Sequence, residues 1–366
     1  MDASRRDRGA PGSRRRRSTL ADVASLAGVS IAAASYVVNQ RPGVGDEIRK
    51  RVLAAADELN FRPNLLARSL RRGKSGVMGL LLADLGNPFY TEIAAGAIDA
   101  AAGLGYQVFL SQTAERLEVR CSEVEALRDH RCDGLIFTDL TNQDRLLLDE
   151  LLAARVPLVQ AVREVSGIGA DHVGIDDQQG GHDIVDHLIG LGYRRFGVLT
   201  GPQASSSSFR RFAGVRMSLA QAHIPLPRQC WAEGDLTRDC GYDLTYDMLT
   251  QSTRPQVLVC GNDMIALGAI DRVVDMGLKV PDDVAVVGFD DMALSSSRLI
   301  QLTTVRQPLR EIGAEAVRLL AERIQQPMLA PREVVLAHHL VVRRSCGAEL
   351  GLSRTWKGRS EVNIEA

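Results

Sequence analysis

Aromatic residues are scarce in this chain, at 4% of 366 residues, so any core must be aliphatic. Apolar residues at 45% and charged residues at 24% still allow a core of ordinary size, and the length predicts two or three domains. No apolar run approaches the ~20 residues needed to cross a bilayer, so no membrane partner is expected. The six cysteines, Cys121, Cys132, Cys230, Cys240, Cys260 and Cys346, form no C-x-x-C pair and match no zinc spacing. That usage reads as a cytosolic protein with reduced thiols. Residues 1–17 are rich in arginine but lack the apolar stretch of a secretory signal. No G-x-G-x-x-G or Walker A run opens a helix, since Gly190-Leu191-Gly192 falls at a helix end. A G-x-S-x-G elbow is also missing, and His338-His339 would point to opposite faces of a strand. Neither a cofactor nor a metal is expected, and the chain is not expected to be an enzyme.

What is present is divided by charge. Residues 1–74 carry 16 Lys and Arg against 7 Asp and Glu, while the remainder carries 28 against 38. A basic end on an acidic body fits a polyanion-binding module joined to a domain with another task. Inside the basic part, Thr19 and Asp22 form an [ST]-x-x-[DE] box that caps a short helix. Val23, Leu26 and Ala27 give that helix one apolar face. Gly28 ends it, because glycine enters the left-handed region at little steric cost. Ser30 then caps a second helix, Ile31 to Val38. Two short helices joined by a glycine-containing turn of about three or four residues make a helix-turn-helix, though the same run could form an ordinary helical hairpin. A third helix opens at Gly45-Asp46 and runs through Leu59, with Ile48, Val52, Ala55, Ala56 and Leu59 along one face.

From Ser75 onward, near-continuous apolar strands alternate with helices, which predicts parallel sheets covered on both faces. Strands are read at Val77–Ala83, Gln107–Leu110, Gly134–Phe137 and Leu158–Ala161. A second cycle starts with His172–Ile175 and continues through Phe196–Thr200, Val257–Cys260 and Val284–Phe289. In open α/β sheets, ligands bind beyond the C-terminal strand ends, and two such subdomains would share a cleft there. Asp84, Phe89 and Tyr90 follow the first strand. Asn262 and Asp290 follow two later ones. Plainer roles are open to each: Asn262 and Asp290 as helix caps, Phe89 as core, Asp84 as a turn residue.

Several runs together resemble the LacI family of bacterial transcription regulators: Leu20-Ala21-Asp22-Val23-Ala24, Ala27-Gly28-Val29-Ser30, Val37-Val38-Asn39, Arg62-Pro63-Asn64, Ala67-Arg68 and Ser69-Leu70. The resemblance extends to about Gly347. It implies an N-terminal all-α helix-turn-helix headpiece followed by an α/β periplasmic-binding-protein-like core of two parallel-sheet subdomains. The expected domains are a disordered basic tail at 1–17, the headpiece at 18–62, a hinge at 63–74, the core at 75–347 and a tail at 348–366. Within the core, the first subdomain would take about 75–162 plus 307–337, and the second about 163–306 plus 338–347.

The resemblance also assigns roles. Ile31, Ala32 and Tyr36 would face base edges, while Thr19, Ser30, Ser35 and Asn39 would hold phosphates. Asn64, Leu66, Ala67 and Leu70 would form a hinge helix in the minor groove, with Leu70 the wedge between base steps. Arg211 matches the family's ligand-binding arginine, whose planar fork suits paired hydroxyls or a carboxylate. Departures are Ala33 where Thr is usual, Ala34 where Val is usual, and Tyr36 where Arg or His is common. Leu236 stands where an aromatic stacking residue is often found. The expected function is a ligand-responsive, sequence-specific repressor that binds double-stranded operator DNA as a homodimer, in the bacterial cytoplasm with the nucleoid. A small polar effector, a sugar or sugar derivative, would control it. The segment after Cys346 has no a/d heptads, so a dimer is expected rather than a coiled-coil tetramer. A sugar receptor with differently employed N-terminal helices, or an enzyme on the doubly wound core, are the competing readings.

Overall fold

The computed structural model describes residues 18–39, 42–61 and 75–348. The expected 1–17 tail, the hinge with Asn64, Leu66, Ala67 and Leu70, and the C-terminal tail from residue 349 lie outside the described residues. The chain divides into two compact units, which meet at residue 75.

The first unit holds three helices: α1 (Leu20–Ala27), α2 (Ile31–Val38) and α3 (Asp46–Glu58). Thr19 caps α1 in a complete capping box with Asp22, and Gly28 ends it at φ 60°, ψ 43°. Arg51 on α3 reaches back to that end, donating from Nε to the Ala27 carbonyl at 3.0 Å and from Nη2 to the Gly28 carbonyl at 2.9 Å. A cation on the last carbonyls of a helix satisfies orphan acceptors and opposes the helix dipole. Val23, Ala24, Ala27, Ala34, Val37, Val52 and Ala55 close a small buried core between the three helices.

The second unit contains two six-stranded sheets, with strand orders β11-β5-β4-β3-β1-β2 and β12-β10-β9-β8-β6-β7. The first comprises β1 (Val77–Leu82), β2 (Gln107–Gln112), β3 (Gly134–Phe137), β4 (Leu158–Ala161), β5 (Asp171–Ile175) and β11 (Glu333–Leu336). The second comprises β6 (Phe196–Thr200), β7 (Trp231–Glu233), β8 (Val257–Cys260), β9 (Ala285–Asp290), β10 (Thr303–Arg306) and β12 (His339–Val341). Every pairing is parallel except β10 with β12. Helices α4 (Pro88–Gly103), α5 (Leu117–Asp129) and α6 (Arg145–Ala153) belong to the first lobe, as does α11 (Leu309–Gln325), which packs on α4 and on β3, β4 and β5. The second lobe carries α7 (Asp177–Gly190), α8 (Ser206–Gln221), α9 (Arg238–Leu249) and α10 (Asp263–Asp275).

The chain therefore changes lobe three times: between β5 and α7, between β10 and α11, and between β11 and β12. This corrects the expected boundary near residue 163. The strand 171–175 does not open the second lobe; it pairs with β4 and β11 in the first. Its sequence is as apolar as any neighbouring strand, and a parallel strand's composition does not say which sheet it joins. Strand β7, an edge strand of three residues, was not anticipated.

Three helix pairs are held close by reciprocal glycines. A Cβ on Gly96 of α4 would lie 2.0 Å from the Arg310 carbonyl of α11, and one on Gly313 of α11 would lie 2.0 Å from the Ile93 carbonyl of α4. Gly181 and Gly214 do the same for α7 and α8, at 2.2 Å from the Arg211 carbonyl and 1.9 Å from the Gln178 carbonyl. Gly241 and Gly268 join α9 to α10. Backbone-to-backbone approach of this kind leaves no room for a methyl group. Gly181→Ala should therefore push α7 and α8 apart. Thermal unfolding should show a loss of about 1–3 kcal/mol, the usual cost of overpacking; an unchanged midpoint would mean that the helices separate freely.

Candidate functional site

Two surfaces carry the expected chemistry. On the helix-turn-helix, α2 presents large apolar groups to solvent: Ile31 is 57% and Tyr36 43% exposed. Ala32 is exposed beside them, while Ala34 and Val37 face inward. Ser30 accepts from the Ala33 N–H at 3.1 Å, which leaves its hydroxyl hydrogen free to donate outward. The Asn39 amide donates to the Ser35 carbonyl at 2.7 Å, fixing the end of α2. Thr19 is differently placed, because its hydroxyl donates to Asp22 at 2.8 Å. In this arrangement that hydrogen serves the cap and not a phosphate.

The second surface is a cleft of about 350 Å³ between the lobes of the core. Asp84, Phe89, Tyr90, Arg211, Asn262 and Asp290 all line it, so the six residues named from sequence come together. Several fill their plainer roles as well. Asn262 caps α10 by accepting from the Ile265 N–H at 2.8 Å. Asp84 accepts from the Gly86 N–H at 2.8 Å in a tight turn. Phe89 and Tyr90 are both buried and pack edge to face at 5.0 Å. A strand-end residue can hold its own loop and still face the cleft.

Arg211 is the centre of the second lobe's wall. It is 6% exposed. Its Nε donates to Asp177 at 2.7 Å and its Nη1 to the Gly261 carbonyl at 2.9 Å. Asp290 lies 3.7 Å from Nη1, and the guanidinium sits 3.8 Å over the Phe289 ring. Among the described residues Nη2 makes no hydrogen bond, so this donor is available to a ligand. Asp290 also accepts from the Gln307 amide at 2.7 Å. Burial pushes the carboxyl groups of Asp290 and Asp177 up, against the pull of Arg211. Burial likewise raises Asp263 to about 6, although Ser295, Thr304 and the Met292 N–H all donate to it.

The structure adds residues that the sequence did not signal. Arg163 follows β4, lines the cleft, and donates to Glu115 at 2.7 Å and to the Tyr90 hydroxyl at 3.4 Å. The strand-end rule that found Asp84 would have found Arg163 had it been applied to β4. Asp235 lines the cleft after β7, the strand that was missed. Backbone strain gathers here too: Ala114, Glu115, Val162 and Asp290 have φ of 52°, 57°, 66° and 124°. A β-branched residue with positive φ is a clear outlier, and such strain concentrates at functional sites.

A helix-turn-helix on a two-lobed core with a polar interlobe cleft defines the chain as a DNA-binding regulator with a ligand-sensing body. The comparisons agree. The bacterial regulatory protein lacI family matches residues 19–64, and the periplasmic binding protein-like domain matches residues 185–346. Catabolite control protein A of Priestia megaterium is 33% identical over 328 residues, covering 89% of this chain and 98% of the relative. The ribose operon repressor of Escherichia coli is 33% identical over 332 residues, covering 89% and 99%. The lac repressor dimer bound to operator and the anti-inducer ONPF superposes with a TM-score of 0.81 at 31% identity, covering 90% of this chain and 99% of that one. A transcriptional regulator CelR–cellobiose complex gives 0.69 at 30% identity. The chain belongs to the LacI family of bacterial transcription regulators.

The raised carboxyl of Asp263 makes stability depend on pH. Its folded value, about 6, lies above the unfolded value of about 4. The folded state then holds the extra proton between the two, and stability falls as pH rises through that window. The wild type should lose stability relative to Asp263→Asn as pH rises from about 4 to about 6. Chemical denaturation across that range measures it, and parallel curves for the two proteins would refute the assignment.

Proposed function

We propose that the protein is a homodimeric, effector-controlled repressor rather than an enzyme. Two helix-turn-helix units would read the half-sites of a pseudo-palindromic operator. Ile31 and Ala32 offer apolar contacts, as to a thymine methyl, and Tyr36 offers one hydroxyl. Ser30, Ser35 and Asn39 would hold phosphates and set register. The Asn64–Leu70 segment would fold in the minor groove as a hinge helix, Leu66 and Ala67 packing and Leu70 wedging the central step. The site of action is the bacterial cytoplasm, at the nucleoid.

The observation that carries the reading is Arg211, buried in the interlobe cleft of a chain that begins with a DNA-binding unit. A cleft of about 350 Å³ lies near the lower end of the ligand-pocket range of about 300–1,000 Å³, which suits a small polar effector such as a sugar. By their names, the relatives include a ribose operon repressor and a regulator bound to cellobiose. An effector touching both lobes would bias their relative angle about the three crossing segments, and through it the spacing of the hinges. The coupling is reciprocal: an effector that weakens operator binding is itself bound more weakly by the operator complex.

Two variants separate the sites. Arg211→Lys keeps the charge near Asp177 but loses the fork. It should raise the effector concentration giving half-maximal response by at least about tenfold, read by fluorescence anisotropy on operator DNA; an unchanged response would place the effector elsewhere. Leu70→Ala should weaken operator binding by at least about tenfold with effector affinity retained, and an unaltered operator affinity would remove the wedge from the account.

A further inference from the structure

The chemical class of the effector can be narrowed, an inference that rests on the cleft being the effector site. The cleft lining carries four carboxyl groups, Asp84, Glu115, Asp235 and Asp290, against two guanidinium groups, Arg163 and Arg211, and no lysine or histidine. Both arginines are already matched by the protein. Arg163 holds Glu115 at 2.7 Å. Arg211 holds Asp177 at 2.7 Å and has Asp290 at 3.7 Å. Asp84 and Asp235 have no ion-pair partner among the described residues. They come from opposite lobes, one after β1 and the other after β7.

We infer that the cleft is built for an uncharged polyhydroxyl ligand and rejects phosphorylated or carboxylated derivatives of it, with Asp84 and Asp235 setting that selectivity. An anion in the cleft meets carboxylates from both lobes, and like charges so placed cost affinity. Arg211 cannot turn fully to an anion, because doing so strands the buried Asp177, and Arg163 is already engaged by Glu115. A hydroxyl has no such conflict. It accepts from Arg211 Nη2 and donates to a carboxylate at once, which is the pairing that alternating donors and acceptors reward. The repulsive element is as informative as the attractive one. One feature of opposite sign is the start of α8, which lacks a side-chain cap. Glu164 is tied to that first turn: its N–H donates to Ser206 Oγ at 2.9 Å and its carboxylate pairs with Arg210 on the same helix.

The test uses the full chain and calorimetric titration at fixed salt with matched probes: ribose and ribose 5-phosphate, glucose and glucose 6-phosphate, galactose and galacturonate, with cellobiose as a neutral disaccharide. At least one uncharged probe should bind. Ribose, glucose or galactose, where it binds, should exceed its charged counterpart by at least about thirtyfold, and cellobiose, where it binds, should exceed every charged probe by as much. The double variant Asp84→Asn/Asp235→Asn, at two exposed positions, should narrow that gap to about threefold or less. A charged probe that binds as well as its neutral counterpart, a gap that survives in the double variant, or a panel in which no uncharged probe binds would overturn the proposal. Arg211→Lys distinguishes the failures. If an anionic probe binds and the variant weakens it, the cleft stands and the chemical class falls; if the variant has no effect, the cleft itself is not the site.

Discussion

The second lobe is organised around keeping one guanidinium charged and fixed out of bulk water. Arg211 has a carboxylate on one side at 2.7 Å, a backbone carbonyl at 2.9 Å and an aromatic ring beneath it at 3.8 Å. A buried arginine without such partners would be severely unfavourable, and a partner left alone would be as bad. This requirement reaches back into the fold. Asp177 opens α7 and Arg211 sits on α8, so the ion pair exists only if those helices are in close contact. Gly181 and Gly214 supply that contact, and Gly181 meets the Arg211 carbonyl itself. The electrostatics of the cleft and the packing of the helices behind it are thus one constraint.

A second set of contacts holds the strained turn after β9. Asp290 and Asp291 have φ of 124° and 56°. Asp291 is bound by Arg306 and Arg343 at 2.6 Å each, and the Asp263 carboxylate takes the next N–H, that of Met292, at 2.9 Å. In the first lobe the positive φ of Ala114 and Glu115 is backed by Arg120, which is buried against Asp139 and Asp144 at 2.7 and 2.6 Å. Strain of this kind survives only where its surroundings over-determine it. Here the surroundings are ion pairs to buried carboxylates, and Ala114, Glu115 and Asp290 among the strained residues line the cleft.

The headpiece was the most legible part of the chain, because its signals are local. A capping box, a left-handed glycine and a second cap lie within a dozen residues, and each determines its own turn of backbone. Most strands and five of the six cleft residues were legible by a less local rule, that chemistry gathers where parallel strands end; Arg211, on α8, came from the family resemblance. What could not be read was whatever depends on partners distant in sequence. Residues 171–175 look the same whichever sheet they join. Gly181 and Gly214 lie 33 positions apart, and neither looks unusual in its own helix. Arg163 and Asp235 needed the lobes to be assembled before they had a cleft to face. The serines that open α8, Ser206 to Ser208, hide its first turn, since serines favour caps and turns over helix interiors when read alone.

The three crossings explain how such a body could report on a ligand. A lobe joined by one strand would swing freely, and its angle would carry little information. Joined three times, at 176, 307 and 337, the lobes are restricted in how they can move against each other. One crossing, at Gln307, touches the wall of the cleft, since its amide donates to Asp290, a lining residue. A change in what Asp290 binds is therefore felt at the covalent link between the lobes without any relay through the helices. The cleft wall and the link share one carboxylate, which makes that crossing a direct physical route from cleft to domain angle.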